Sequence, residues 1–162
     1  MFAVRYVALA ALTLWLGGML TLGLLVAPST FQVLQAADPE TGRALAGALF
    51  GEVVRRFHLL ASACGGLIVL CLLVMKFVGP PPRAFVARLA IVVFMLALEL
   101  YSAVPMTREM TGIQSQVAGA IDRLPPTDAR RVRFDRLHQT STALLTINVA
   151  FGLVLLFWYA RE

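Results

Sequence analysis

The stretch Asp38–Val78, DPETGRALAGALFGEVVRRFHLLASACGGLIVLCLLVMKFV, decides the fold. Asp38-Pro39 reads as a helix start, with Asp38 as the cap and Pro39 at the first helical position. From there Leu45, Leu49, Phe50, Val53, Val54 and Phe57 recur at helical spacing, while Glu40, Arg43, Glu52, Arg55 and Arg56 take the other face. No breaker separates this amphipathic segment from the apolar run Phe57–Val78. A single helix from Asp38 to Val78 would be roughly 60 Å long, about twice the hydrocarbon thickness of a bilayer. The excess must project from one membrane face.

Composition extends that reading to the whole chain. It is 59% hydrophobic and 14% charged, with a mean hydropathy of +0.81, far from a soluble domain. Three more runs reach spanning length, Val7–Val26, Phe85–Val104 and His138–Ala160. The first is too long for the apolar part of a signal peptide and no clean cleavage site follows it, so it is expected to stay as a helix. The expected fold is all-α: an integral membrane up-down four-helix bundle with spans at about residues 7–27, 57–78, 85–104 and 138–160. The net charge of +5 does not point to nucleic acid, because the cations flank apolar runs where anionic lipid headgroups would meet them. The lipid bilayer is the expected partner, with a homo-oligomer or another membrane partner left open.

Prolines punctuate the runs. Pro28 and Pro105 sit where the first and third spans leave the membrane, and Pro28 is expected to kink its helix. Gly79-Pro80-Pro81-Pro82 reads as a tight connection incompatible with helix. Beyond Pro105, Met106, Met110, Ile113, Val117 and Ile121 carry an apolar stripe outward until Leu124-Pro125-Pro126 breaks it. Thr127 is expected to cap the last helix, and Trp158 and Tyr159 sit where an interfacial aromatic anchor belongs.

Internal similarity links the two halves. Arg56-Phe57-His58 with Ser62 matches Arg136-Leu137-His138 with Thr142, and these are the only two histidines. Upstream, Ala27-Pro28-Ser29-Thr30 matches Val104-Pro105-Met106-Thr107. Two pseudo-repeated helical hairpins, residues 1–78 and 83–162, would place the histidines at related positions. Both long connections then lie on one side of the membrane. Nine cations fall on that projecting side (Arg43, Arg55, Arg56, Arg108, Arg123, Arg130, Arg131, Arg133, Arg136) and five on the other (Arg5, Lys76, Arg83, Arg88, Arg161). The excess favours a cytoplasmic projection in an inner or plasma membrane, although the short Lys76–Arg88 connection is purely basic and pulls the other way.

The sequence resembles the transmembrane protein 205-like family of small four-span membrane proteins. Trp15 to Gly18, Ala48-Leu49-Phe50 through Phe57-His58, Val104-Pro105-Met106-Thr107, and Arg133-Phe134 to His138-Gln139-Thr140-Ser141 carry the resemblance. A glycine often follows the last histidine in that family, where this chain has Gln139. The resemblance implies the four-span fold and membrane placement, and no catalytic residues.

Chemistry concentrates near the projecting boundary. Glu99 lies six positions before Pro105, about 9 Å inside the membrane edge. An ionisable group at that depth costs about 2.5–3.5 kcal/mol on insertion scales and is normally paired or neutral. His58, His138, Arg56, Arg136 and Tyr101 are its candidate partners. Helical periodicity also puts His138, Ser141, Thr142 and Asn148 on one face of the last helix, mirrored by His58 and Ser62 on the second. Three functional readings compete. His58 and His138 can ligate haem b between helices, with Arg56 and Arg136 on the propionates. The same histidines with Met106 and Met110 would suit copper(I). Alternatively, Glu99 and the histidines form a proton or substrate relay in a small transporter. A bland account stands beside them: interfacial histidines cap neighbouring helices and Glu99 pairs structurally with an arginine. Cys64 and Cys71, about 10 Å apart along one helix, are expected to be buried structural thiols rather than a disulfide. No phosphate loop, dinucleotide fingerprint, zincin helix or nucleophile elbow occurs, so an enzyme is not expected unless a cofactor supplies the chemistry.

Overall fold

The computed structural model describes residues 2–79, 82–117 and 119–161, so Pro80 and Pro81 of the expected tight connection lie outside the described residues. Four helices carry the chain: α1, Phe2–Ala37; α2, Gly42–Val78; α3, Phe85–Ser115; and α4, Ala129–Ala160. Their 36, 37, 31 and 32 residues correspond to about 47–56 Å each, against about 30 Å of hydrocarbon. All four are long and apolar enough to cross a membrane, and no strand occurs among the described residues. The protein is an all-helical, multi-pass four-helix bundle.

Each helix packs on the next, and α4 closes back on α1. Lipid tails are as apolar as leucine, so close packing rather than water exclusion holds such helices together. The core shows where that closeness comes from. Trp15 is fully buried, its indole seated over Gly65, where an added Cβ would come within 3.1 Å of Cζ3 and within 2.9 Å of Leu96 Cδ1. Leu12 and Met19 of α1, Ile68 and Leu72 of α2, Val92 and Met95 of α3, and Leu155 of α4 complete the cluster. Cys64 and Cys71 are buried in it as free thiols, as their spacing predicts.

The first hairpin turns more tightly than the sequence implies. Helix α2 starts at Gly42, four residues beyond the expected Asp38 cap, and α1 runs to Ala37. Asp38 closes the turn between them: its carboxylate accepts from the Glu40 and Thr41 amides at 2.9 and 3.1 Å and from the Thr41 hydroxyl, which holds the carboxyl below its ordinary range. The Gly42 amide reaches back to the Asp38 carbonyl at 2.8 Å. An added Cβ at Gly42 would clash with the Leu34 carbonyl oxygen, so only glycine lets the two helix ends pass this closely. At the second hairpin the cap is Asp128 rather than Thr127, one residue later than expected. Asp128 accepts from the Arg130 amide at 2.8 Å, and the Arg130 guanidinium beside it holds the carboxyl down at about 2.

Pro28 and Pro105 do not break their helices. Immediately before Pro28, and across Pro105, the backbone widens into single π-turns, Leu22–Val26 and Ser102–Met106. A proline ring clashes with the carbonyl four residues back and offers no N–H. A wide turn relieves both problems while the helix continues. Past the second π-turn, Met106 and Ile113 pack with Leu137 of α4, and Met110, Val117 and Phe134 surround them. The stripe expected to reach Ile121 on one helix is instead completed from a short 3-10 turn, Ile121–Arg123, because α3 ends at Ser115. Ion pairs tie the projecting tips to each other: Arg43 to Asp122 at 2.8 Å and Arg133 to Glu109 at 2.5 Å, with Arg123 donating to the Glu40 carbonyl.

Candidate functional site: a buried carboxyl–imidazole pair

Helix α3 turns one face inward, on which Arg88, Val92, Met95, Glu99, Ser102 and Met106 are all buried. Steps of four and three residues keep them in line along a helix. Three of these positions are polar in the depth of the bundle, and each has a partner on a neighbouring helix. Glu99 Oε1 meets His58 Nδ1 of α2 at 2.6 Å, with side chains 5% and 13% exposed. Ser102 Oγ lies 3.5 Å from Ser141 Oγ of α4, and Thr107 donates its hydroxyl proton to the Ser102 carbonyl at 2.9 Å. Arg88, near the opposite membrane face, donates to the Trp158 carbonyl at 3.2 Å. Its guanidinium lies 4.9 Å from the centre of the Tyr159 ring.

Register places the α3 π-turn beside the pair. Ser102 faces Ser141, and the Asn148 amide nitrogen donates to the Met95 carbonyl at 3.3 Å, so Glu99 sits between these two crossings of α3 and α4. Gly23, inside the α1 π-turn, lies against Leu145 at that same level. The π-turn of α3 begins three residues after Glu99.

The donor set expected from the repeat is split. His138 is exposed and its ring stacks on Phe134 four residues earlier, at 6.4 Å between centroids, away from the Glu99–His58 pair. The reason is helical phase. Leu137, 8% exposed, holds the inward position on α4, and the next residue is turned by about 100°. Of the expected His58–His138–Glu99 cluster, His58 and Glu99 are in contact, and His138 lies on the exposed face of α4. Met106 and Met110 pack in the apolar cluster with Ile113, Phe134 and Leu137. Arg56 bonds Glu52 at 2.8 Å, while Arg136, Tyr101 and Thr142 are exposed. Thr142 donates to the His138 carbonyl at 3.0 Å. Ser62 and Ser141 are half-buried and Asn148 is buried. Among the described residues no three His, Cys, Asp or Glu side chains gather as a metal site.

Sequence reasoning put His138, Ser141, Thr142 and Asn148 on one face of the last helix, of which Asn148 is buried, Ser141 half-buried and His138 and Thr142 exposed, and it gave Glu99 a histidine among its possible partners. It missed Ser102 and treated Arg88 as a flanking charge. Both stand in phase with Glu99, three residues after it and eleven before it, and that phase was the available signal. Trp158 and Tyr159, expected as an interfacial anchor, stand against Arg88, and Tyr159 is buried.

Neither a curated protein nor a solved structure matches the chain. Residues 10–118, which hold His58, Glu99 and both π-turns, match a family described as a domain of unknown function, DUF4149. That match covers 109 of the 162 residues (118 − 10 + 1 = 109), and the chain belongs to the DUF4149 family.

Proposed function

We propose that this protein is a small proton-exchanging membrane carrier of the transmembrane protein 205-like type, with Glu99 and His58 as the exchanging pair. The observation that carries this reading is the 2.6 Å contact between Glu99 Oε1 and His58 Nδ1 inside an apolar bundle. A single proton can sit on either atom of such a bond: the imidazole N–H donates to the carboxylate, or the carboxyl O–H donates to the ring nitrogen. Either arrangement removes the cost of an unpaired buried charge. Imidazole is the side chain whose proton affinity suits exchange near neutrality. The pair also stands next to the α3 π-turn, a local feature that often marks functional positions in helices and where backbone bonds can re-register.

His58 opens the spanning part of α2, so the pair communicates with the projecting side, and the Ser102–Ser141 hydroxyls lie along that approach. The test is proton flux in liposomes reconstituted with the full chain, read with an internal pH-sensitive dye after an imposed gradient. Wild type is expected to dissipate the gradient faster than empty liposomes, and Glu99→Gln and His58→Ala to fall back to the empty-liposome rate. Equal rates for wild type and empty liposomes, or full flux in Glu99→Gln, would overturn the proposal.

A further inference from the structure

Asn148 is 3% exposed, and only half of its amide is satisfied within the chain. Nδ2 donates to the Met95 carbonyl at 3.3 Å, whereas Oδ1 is buried with no partner among the described residues. A dry amide oxygen in such a place costs on the order of 1–3 kcal/mol. Its surroundings indicate what satisfies it. The Met95 carbonyl is one helical turn below Glu99, on the same inward face of α3. Side chains on a helix lean toward its N-terminus. Glu99 therefore leans along α3 toward Met95, and Asn148, on the antiparallel α4, leans toward Ser141 and hence toward Glu99. The two groups converge on one space between α3 and α4. Of the Glu99 oxygens, Oε1 is taken by His58.

We propose that Asn148 holds a water molecule against Glu99: the water donates one hydrogen to Asn148 Oδ1 and bonds through the other to Glu99 Oε2. Two polar partners in an otherwise apolar place are the minimum that retains a buried water. Asn148 is then a positioning residue that acts through this water. It fixes the orientation of the carboxyl group from the side opposite His58 and extends the polar line one link toward the membrane centre. This deepens the proton-exchange reading and rests on it for the meaning of the link, though not for the link itself.

The test is infrared difference spectroscopy between acid and neutral buffer on the full chain in lipid, in ordinary and oxygen-18 water. A sharp O–H stretch that moves with oxygen-18 is expected in wild type, and it should be lost in Asn148→Leu. The Glu99 carboxyl band, identified by its loss in Glu99→Gln, should shift in Asn148→Leu as it loses a hydrogen-bond partner. Asn148→Asp, which keeps an oxygen at that place, should retain the isotope-sensitive band and guards against a Leu variant that misfolds. Persistence of that band in Asn148→Leu, or its absence from wild type, would overturn the proposal. The outcomes separate the two readings: an isotope-sensitive band without proton flux sinks the carrier and keeps the water, and flux without the band does the reverse.

Discussion

Glu99 and His58 meet at 2.6 Å with side chains 5% and 13% exposed, so each is the other's main compensation for leaving water. Their energies are therefore coupled, and separate deletions should not add. Removing one member strands the other in an apolar bundle, whereas replacing both with apolar side chains leaves nothing unpaired. His58→Leu is expected to destabilise the protein by about 3 kcal/mol. The double replacement His58→Leu with Glu99→Leu should recover most of that loss. Thermal unfolding of detergent-solubilised variants checks it, and a double variant as unstable as the sum of the singles would show that the pair is not coupled. His138 provides the contrast. It is exposed, so His138→Ala should stay within about 0.5 kcal/mol of wild type in the same measurement. The two histidines look alike in sequence because Arg-x-His occurs twice, and residue type alone cannot tell them apart. What distinguishes them is helical phase: Leu137 takes the inward place on α4 and carries His138 outward, and packing against α3 sets that phase.

Prolines at 28 and 105 were legible as points where something happens to a helix, and the structure adds a π-turn at each that the sequence did not specify. Proline chemistry removes a donor and forbids the ordinary i→i−4 geometry. It does not by itself specify a π-turn, which widens the helix locally while the chain stays helical. The apolar contacts of Met106 and Ile113 with Leu137, and the Glu109–Arg133 pair, hold the outer part of α3 against α4. The helix starts were misjudged for a related reason: Asp38 and Asp128 both accept backbone N–H groups, and sequence does not say whether such a group closes a turn or opens a helix. The α3 arrangement can be tested directly. Pro105→Ala restores an N–H and a side chain that fits an α-helix, so the turn is expected to tighten by one residue. Everything beyond it would rotate by about 100°. Cysteines at positions 109 and 133 should then be bridged readily by a short bifunctional thiol reagent in the Pro105 background and poorly with Pro105→Ala. Equal bridging would mean that the π-turn does not depend on proline.

Across the whole molecule, the two halves repeat one order of parts, a long helix carrying a π-turn followed by a long helix without one. Four spans and their projecting ends were legible because charge-free runs of spanning length and helical periodicity are strong, local signals. The site was legible only in part, since partner choice depends on how helices rotate against each other. The expected orientation is open to test. The projecting side carries nine of the fourteen Lys and Arg residues, and the rule that counts cations near the spans predicts a cytoplasmic position for that side. The contrary signal was the purely basic connection from Lys76 to Arg88. Arg88, however, is 2% exposed and lies within α3, packed against Tyr159, so it belongs to the bundle rather than to the connection. Only Lys76 and Arg83 then remain near that short loop, which weakens the objection. Cysteine labelling decides the matter, and the native thiols give little background because Cys64 and Cys71 are 5% and 6% exposed. A membrane-impermeant maleimide on intact cells is expected to label Arg83→Cys at once and Ser115→Cys only after permeabilisation. The reverse pattern would put the Arg-rich tips outside, and the proton exchange proposed for the Glu99–His58 pair would then be with the external medium.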